Sequence, residues 1–295
     1  MSGQPCLRAA SLWRVAYPFA MPGSSALENT RALTAGLSTH LAELQRMRKG
    51  EAPQLHVICS TILSALLVDS DVLAAELAIG VRSKTKGWPQ PMIVSAYECA
   101  SWGYALRYLA SRRCDGDVVI SIVDVDIHNF THWERHSAWG ASGFGVTSMW
   151  LDLAPTVADC IRAGAARSAN GLMELGRAIV EFNGTVPAGV AVHAPFFPTA
   201  TRSMLERVTT GVILAPDRHP QYGHCFGSDP WISLITDLME RGDAAADDTV
   251  VLCSLALNGY FAIAGLKVAD DVAVDSRSWP RRAITSSREQ DTSHA

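Results

Sequence analysis

Short runs rich in Val, Ile and Leu alternate along the chain with longer stretches whose apolar positions recur at helical spacing. Continuous apolar runs suit strands covered on both faces, so the alternation predicts an α/β protein with largely buried strands. The strands are expected at Ala9–Tyr17, His56–Thr61, Met92–Tyr97, Asp117–Val125, Gly145–Leu153, Gly189–His193, Thr249–Ala256 and Tyr260–Val268. Between them the spacing predicts helices over Ala26–Lys49, Asp71–Leu77, Ala100–Ser111, Asp159–Phe182, Ala200–Thr209 and Pro230–Arg241. Ser70 or Asp71 supplies a capping acceptor for the second helix, and Pro230 suits a first turn, where a missing donor costs nothing.

One order recurs. Asp117-Val-Val-Ile-Ser-Ile-Val, a loop, and Phe144-Gly-Val-Thr-Ser-Met-Trp-Leu-Asp152 give strand, connection, strand. Asp248-Thr-Val-Val-Leu-Cys-Ser, Asn258-Gly259 and Tyr260-Phe-Ala-Ile-Ala-Gly-Leu266 repeat it, which points to an internal duplication; a chance likeness of two β pairs is the alternative. From Asp270 the sequence turns polar and reads as a frayed tail.

Composition narrows the function classes. The chain has 295 residues, of which 48% are hydrophobic and 18% charged, enough for a sizeable core and unlike a disordered chain. Its 25 Lys+Arg against 29 Asp+Glu give a formal charge of −4, with no basic block to neutralise a phosphate backbone, so a nucleic-acid partner is not expected. The seven cysteines stand singly with no C-x-x-C pair, which argues against a disulfide framework or zinc knuckle and for a reducing compartment, the cytoplasm. The first 25 residues are broken by Pro5, Pro18, Pro22 and Gly23, so no signal peptide is expected. The most apolar stretch, Val250 to Leu266, is interrupted by Ser254, Asn258 and Gly259 and suits two buried strands better than a membrane helix.

The chemistry centres on Cys99. Ile93-Val-Ser-Ala-Tyr-Glu98 reads as a strand and Ala100-Ser-Trp-Gly-Tyr-Ala-Leu-Arg-Tyr-Leu109 as a helix, with Cys99 at the junction. A thiol there meets unpaired amides at the positive end of a helix dipole, which favour thiolate and hold a developing oxyanion. The alternative is an inert core cysteine. Gly189-Val-Ala-Val-His193 delivers a histidine at a strand end, and Tyr222-Gly-His-Cys-Phe-Gly-Ser-Asp229-Pro230 a carboxylate at a helix start. Three such units suggest a nucleophile, a base and an orienting acid. Singly, His193 also reads as a buried, satisfied histidine and Asp229 as an N-cap.

These segments resemble the thiolase-fold ketosynthases, specifically the ketoacyl synthase III-like group. The resemblance runs from about His56 to Val268 and rests on the Cys99 turn, the His193 segment, the Gly223-to-Pro230 loop and the Leu-Asn-Gly-Tyr-Phe hairpin around Gly259. It implies a duplicated five-layer αβαβα architecture, with a nucleophile-bearing half over residues 1–155, a second half carrying histidine and aspartate over 156–269, and a tail over 270–295. It also implies a homodimer that moves an acyl group from coenzyme A or an acyl carrier protein through a cysteine thioester, with no resident cofactor.

The chain departs from that pattern at the third catalytic position. Condensing members place asparagine there, to donate with histidine to a malonyl thioester; here the loop offers His224 and Asp229. A carboxylate accepts from histidine and raises its basicity, which favours deprotonating an incoming alcohol, amine or thiol. The set Cys99, His193 and Asp229 thus resembles the acyltransferase branch of natural-product pathways, with Asn258 and Gly259 expected beside the oxyanion, Trp102 lining an acyl tunnel and His224 near the substrate. A decarboxylative condensing enzyme, or a supporting subunit of a ketosynthase-like heterodimer, is the competing reading. The first strand also passes almost directly into the first helix, without the family's segment for the coenzyme A nucleotide, which favours a carrier protein as donor.

Two clusters compete for attention. The run Asp124-Val-Asp126-Ile-His128-Asn-Phe-Thr-His132-Trp-Glu134-Arg-His136 gathers acids and imidazoles, but without H-E-x-x-H it reads as a polar loop, and no metal is expected. Lys84-Thr-Lys86-Gly-Trp88 is a basic turn, either solvated surface or a contact for an acidic carrier protein.

Overall fold

The computed structural model describes residues 3–63, 71–155, 157–167, 170–241 and 248–279; the cap expected from Ser70 or Asp71 lies outside the described side chains. The first half contains β1 (Cys6–Val15), α1 (Ala26–Met47), β2 (Leu55–Cys59), α2 (Asp71–Lys84), β3 (Met92–Val94), α3 (Ser101–Ser111) and β4 (Gly116–Asp124). A small ribbon, β5 (Arg135–His136) and β6 (Gly140–Ala141), then precedes β7 (Phe144–Leu153). The second half runs β8 (Ile161–Ala165), α4 (Gly171–Asn183), β9 (Ala191–His193), α5 (Thr199–Val208), β10 (Ile213–Leu214), α6 (Asp229–Arg241), β11 (Thr249–Leu255) and β12 (Tyr260–Ser278).

The two halves share one strand order. It is β3-β2-β4-β7-β1 in the first and β10-β9-β11-β12-β8 in the second, with β7 and β12 each antiparallel to its neighbours within its own half. The repeated sequence pattern falls on corresponding strands, β4 with β7 and β11 with β12. The long β12 joins the halves into one ten-stranded sheet, because its first residues pair with β8 and its last run parallel to β1, Ala9 opposite Ala273 and Arg14 opposite Ser278.

The packing is five-layered. Leu33, Leu37, Leu41 and Leu44 of α1 and Leu73, Leu77 and Val81 of α2 cover one outer face of the first half. Leu175, Ile179 and Phe182 of α4 and Leu205 of α5 cover the outer face of the second. Trp102, Leu106 and Leu109 of α3 and Trp231, Leu234 and Ile235 of α6 fill the middle against β1, β4, β11 and β12. Each fully buried large apolar side chain contributes about 1.5–3 kcal/mol relative to exposure, so this central layer, built from both halves, holds them together.

Two expectations need correction. The helix predicted over Asp159–Phe182 begins only at Gly171, and Ile161–Ala165 is the edge strand β8, with Tyr260 opposite Ala165 and Ala264 opposite Ile161. Alanine and arginine there favour helix locally, but the ladder to β12 overrides that weak preference. The tail predicted from Asp270 is instead the continuation of β12 to Ser278. Val272 and Val274 turn to the central core while Ala273 meets the outer one, a period-two alternation hidden among charged residues.

Candidate active site

Cys99 lies in the single 3₁₀ turn Glu98–Ala100 that leads from β3 into α3. Glu98, just before it, takes a left-handed backbone conformation at φ 46°, a strained choice for a residue other than glycine. Cys99 is buried and forms one wall of a cavity of about 110 Å³. Thr61, beyond the end of β2, directs its hydroxyl at the sulfur across 3.6 Å.

The imidazole on the Cys99 cavity is that of His224. The two side chains line the same cavity, and the imidazole pulls the thiol pKa down. Its Nδ1 lies 2.7 Å from Asp229 Oδ2, with Phe196 O a longer neighbour at 3.2 Å. A carboxylate only accepts, so Nδ1 carries the proton. Asp229 is fully buried and further held by the amides of Cys225, at 2.6 Å, and Phe196, at 2.9 Å. Burial opposes protonation of His224, but the Asp229 charge, its hydrogen bond and the Cys99 contact outweigh it and hold the imidazole well above its usual range. Burial raises the Cys99 thiol, while His224 and Thr61 pull it down.

Asp124, at the end of β4, fastens the surrounding loops. Its Oδ1 accepts from Ser60 Oγ and from the amides of Thr61 and Ile62, and its Oδ2 from the Gly227 amide at 3.2 Å. Burial pushes its pKa up to about 6 against those bonds. Gly227 is the close-approach point: a Cβ there would stand 3.3 Å from Cys99 O.

Other residues predicted for the site lie elsewhere. His193 ends β9 as expected, but it is buried with Nδ1 2.9 Å from Ser233 Oγ, outside the cavity lining. Burial, only partly countered by Asp237, lowers it to about 4, so it is a neutral core imidazole. Trp102 is not a tunnel wall either: it is fully buried, donates to Ser254 Oγ at 2.7 Å and meets Trp231 edge to face at 5.2 Å. Asn258 and Gly259 close the β11–β12 turn. Gly259 N donates to Ala256 O at 3.0 Å, and Asn258 Oδ1 accepts from Tyr260 N at 3.3 Å, so the hairpin residues on the cavity are Leu255, Ala256 and Leu257.

Sequence reasoning missed the aromatic walls. Trp133, Trp139, Phe197 and Phe226 line the cavity beside Cys99 and Glu98. The run from Asp124 to His136 contributes Trp133 together with His132, tilted against Trp133 at 4.6 Å, and His136, stacked on Trp139 at 4.4 Å. Among the described residues no three acids, histidines or cysteines gather as a metal site. None of the described helices is long and apolar enough to cross a membrane.

No family model and no curated protein matches the sequence. Solved structures do match. The acyltransferase ChlB3 aligns over 90% of this chain and 98% of its own, with TM-score 0.66 and 11% identity. The priming β-ketosynthase of the R1128 polyketide pathway aligns over 91% and 97%, with TM-score 0.58 and 11% identity. The 3-oxoacyl-(acyl carrier protein) synthase III of Pseudomonas aeruginosa PAO1 aligns over 85% of each chain, with TM-score 0.57 and 10% identity. The chain has the thiolase-like fold of the ketoacyl synthase III-like enzymes. Within that fold, Cys99 immediately precedes the third helix of the first half and Asp229 begins the third helix of the second.

Proposed function

We propose that the protein is a cysteine acyltransferase that carries an acyl group as a thioester on Cys99 and passes it to an oxygen, nitrogen or sulfur nucleophile. The observation that carries this reading is the 2.7 Å contact between His224 Nδ1 and Asp229 Oδ2, on the wall of the cavity that Cys99 also lines. His224 takes the Cys99 proton as sulfur attacks a donor thioester; the donor's C–S bond breaks and its thiol leaves with a proton. In the second half-reaction His224 takes the proton of the acceptor, which forms a bond to the acyl carbon, and Cys99 leaves as the thiol. Asp229 holds the imidazole in the required tautomer and stabilises its protonated form. The amide of Cys99, at the start of α3, is the first candidate to hold the tetrahedral oxyanion.

The donor in this reading is an acyl carrier protein or coenzyme A thioester, no resident cofactor is needed, and the chain works as a homodimer in the cytoplasm. Decarboxylative condensation is the competing chemistry, and it needs a donor at the position where Asp229 accepts. The likeness to ChlB3, described as an acyltransferase, supports transfer, while the neighbouring ishigamide ketosynthase/chain length factor keeps a role beside a ketosynthase-like subunit in view.

The test is to incubate the protein with acyl-coenzyme A and acyl-carrier thioesters, read the mass of the Cys99 peptide, and then add either an alcohol or amine acceptor or a labelled malonyl thioester. An adduct that discharges to the acceptor supports transfer. Rapid carbon dioxide release with a product two carbons longer assigns the protein to the condensing enzymes, and no adduct with a co-purifying homologous subunit assigns it a supporting role.

A further inference from the structure

Glu98 sits immediately before the nucleophile and lines the same cavity. At φ 46° glycine is the default residue, and here the chain accepts the strain and keeps a carboxylate. No Lys or Arg lines the cavity, and the one basic side chain on its wall, His224, is already matched by the buried Asp229. Among the described residues no hydrogen bond or ion pair engages the Glu98 carboxylate, so it is free to meet a ligand.

The remaining walls are suited to the same partner. Trp133 and Trp139 stack at 6.4 Å and 24°, and Phe226 stands edge-on to both, at 5.6 and 6.0 Å. Trp139 is fixed in place by its Nε1, which donates to Ser142 Oγ at 2.9 Å, and by its carbonyl, which lies 2.9 Å from His219 Nε2. Aromatic faces beside one unpaired carboxylate attract cations through ring quadrupoles and the acid charge together, and that combination disfavours anions.

We propose that Glu98 and the aromatic walls select a protonated primary amine as the acyl acceptor and disfavour anionic partners such as a malonyl group. The inference rests on the reading of Cys99 as the acyl carrier. The ammonium docks on Glu98, a proton is withdrawn through His224, and the freed lone pair attacks the acyl carbon. The C–N bond forms and the C–S bond breaks. Of the two protons lost by the ammonium, one ends on the Cys99 sulfur and the other leaves to solvent, giving an amide and the free thiol.

The decisive experiment measures binding of cavity-sized probes to the full chain without any acyl group: benzylammonium, benzyl alcohol and benzoate, by calorimetry. Benzylammonium is expected to bind about tenfold more tightly than benzyl alcohol, and benzoate about tenfold more weakly. Glu98→Gln, with its fold checked by circular dichroism, is expected to bring the ammonium-to-alcohol ratio to within about threefold. Equal binding of ammonium and alcohol by the unmodified protein overturns the proposal, as does a ratio unchanged in Glu98→Gln. Because the assay needs no thioester, failure of Cys99 to become acylated refutes the transfer reading on its own and is read separately from the probe ratio.

Discussion

His224 Nδ1 and Asp229 Oδ2 stand 2.7 Å apart within one loop that ends as the first turn of α6. Asp229 also receives the Cys225 amide, so imidazole, carboxylate and loop backbone are tied into one unit in the half opposite Cys99. His224 lines the cavity with Cys99, whereas His193 lies outside it against Ser233.

The reactivity of Cys99 should follow the two groups that lower its thiol pKa. Removing the hydroxyl in Thr61→Val deletes a donor to the thiolate, and His224→Ala deletes the larger influence. The pH profile of iodoacetamide alkylation at Cys99, read by peptide mass, should move upward in both variants, and further in His224→Ala. An unmoved profile in His224→Ala would mean that the imidazole does not engage the sulfur.

His193 should matter for stability. Its lowered pKa of about 4, against about 6.5 unfolded, means that the unfolded chain binds more protons between those values. The neutral form's stabilisation is therefore complete above pH 6.5 and is lost as pH falls towards 4, on the order of a few kcal/mol. His40 and His56, both lowered to about 3 by burial, act in the same direction. Melting temperature should fall between pH 7 and 4, and His193→Gln should melt lower at pH 7 with a shallower pH dependence while Cys99 still accepts an acyl group. Loss of acylation in a folded His193→Gln protein would return His193 to the catalytic machinery.

The loop bearing His224 is held by a tight backbone approach. A Cβ at Gly143 would stand 2.3 Å from Tyr222 O and 2.5 Å from Cys225 Sγ, and Gly143 N donates to His224 O at 2.9 Å. Gly143→Ala must push this loop without touching a reacting atom, and misplacement of about 1 Å costs on the order of 10²-fold in rate. The variant should lose acyl transfer by about that factor while remaining folded by circular dichroism. Full activity would show that the loop's position is not limiting.

The strand pattern and the repeated β4–β7 and β11–β12 text carried the fold, because buried strands advertise themselves as apolar runs. The edge strand β8 and the end of β12 escaped, since Ala163 and Gly164 read as helix or turn and Asp270–Ser278 reads as solvent-facing, and only their partners β12 and β1 make them strands. Cys99 was legible from its place between strand and helix. His193 drew the role of base because it ends a strand, whereas the signal for His224 was its presence in the same short loop as Asp229. Trp133, Trp139 and Phe226 were not legible as cavity walls, because the fold, and no local spacing, brings the β4–β7 connection over the 3₁₀ turn.

If the His224–Asp229 pair drives acyl transfer from Cys99, the two half-reactions respond differently to loss of the Asp229 charge. The most direct measurement is a rapid-quench single turnover, in which loading of Cys99 and discharge to an amine or alcohol acceptor are followed separately in the unmodified protein and in Asp229→Asn. Asparagine keeps the size of Asp229 but removes the charge that orients and supports the imidazole. Discharge should slow by about 10²- to 10⁴-fold, and loading by less, because the amides at the start of α3 also assist the first step. Discharge at the same rate in both proteins, with Asp229→Asn folded and fully loaded, would contradict the account and reduce Asp229 to a helix cap.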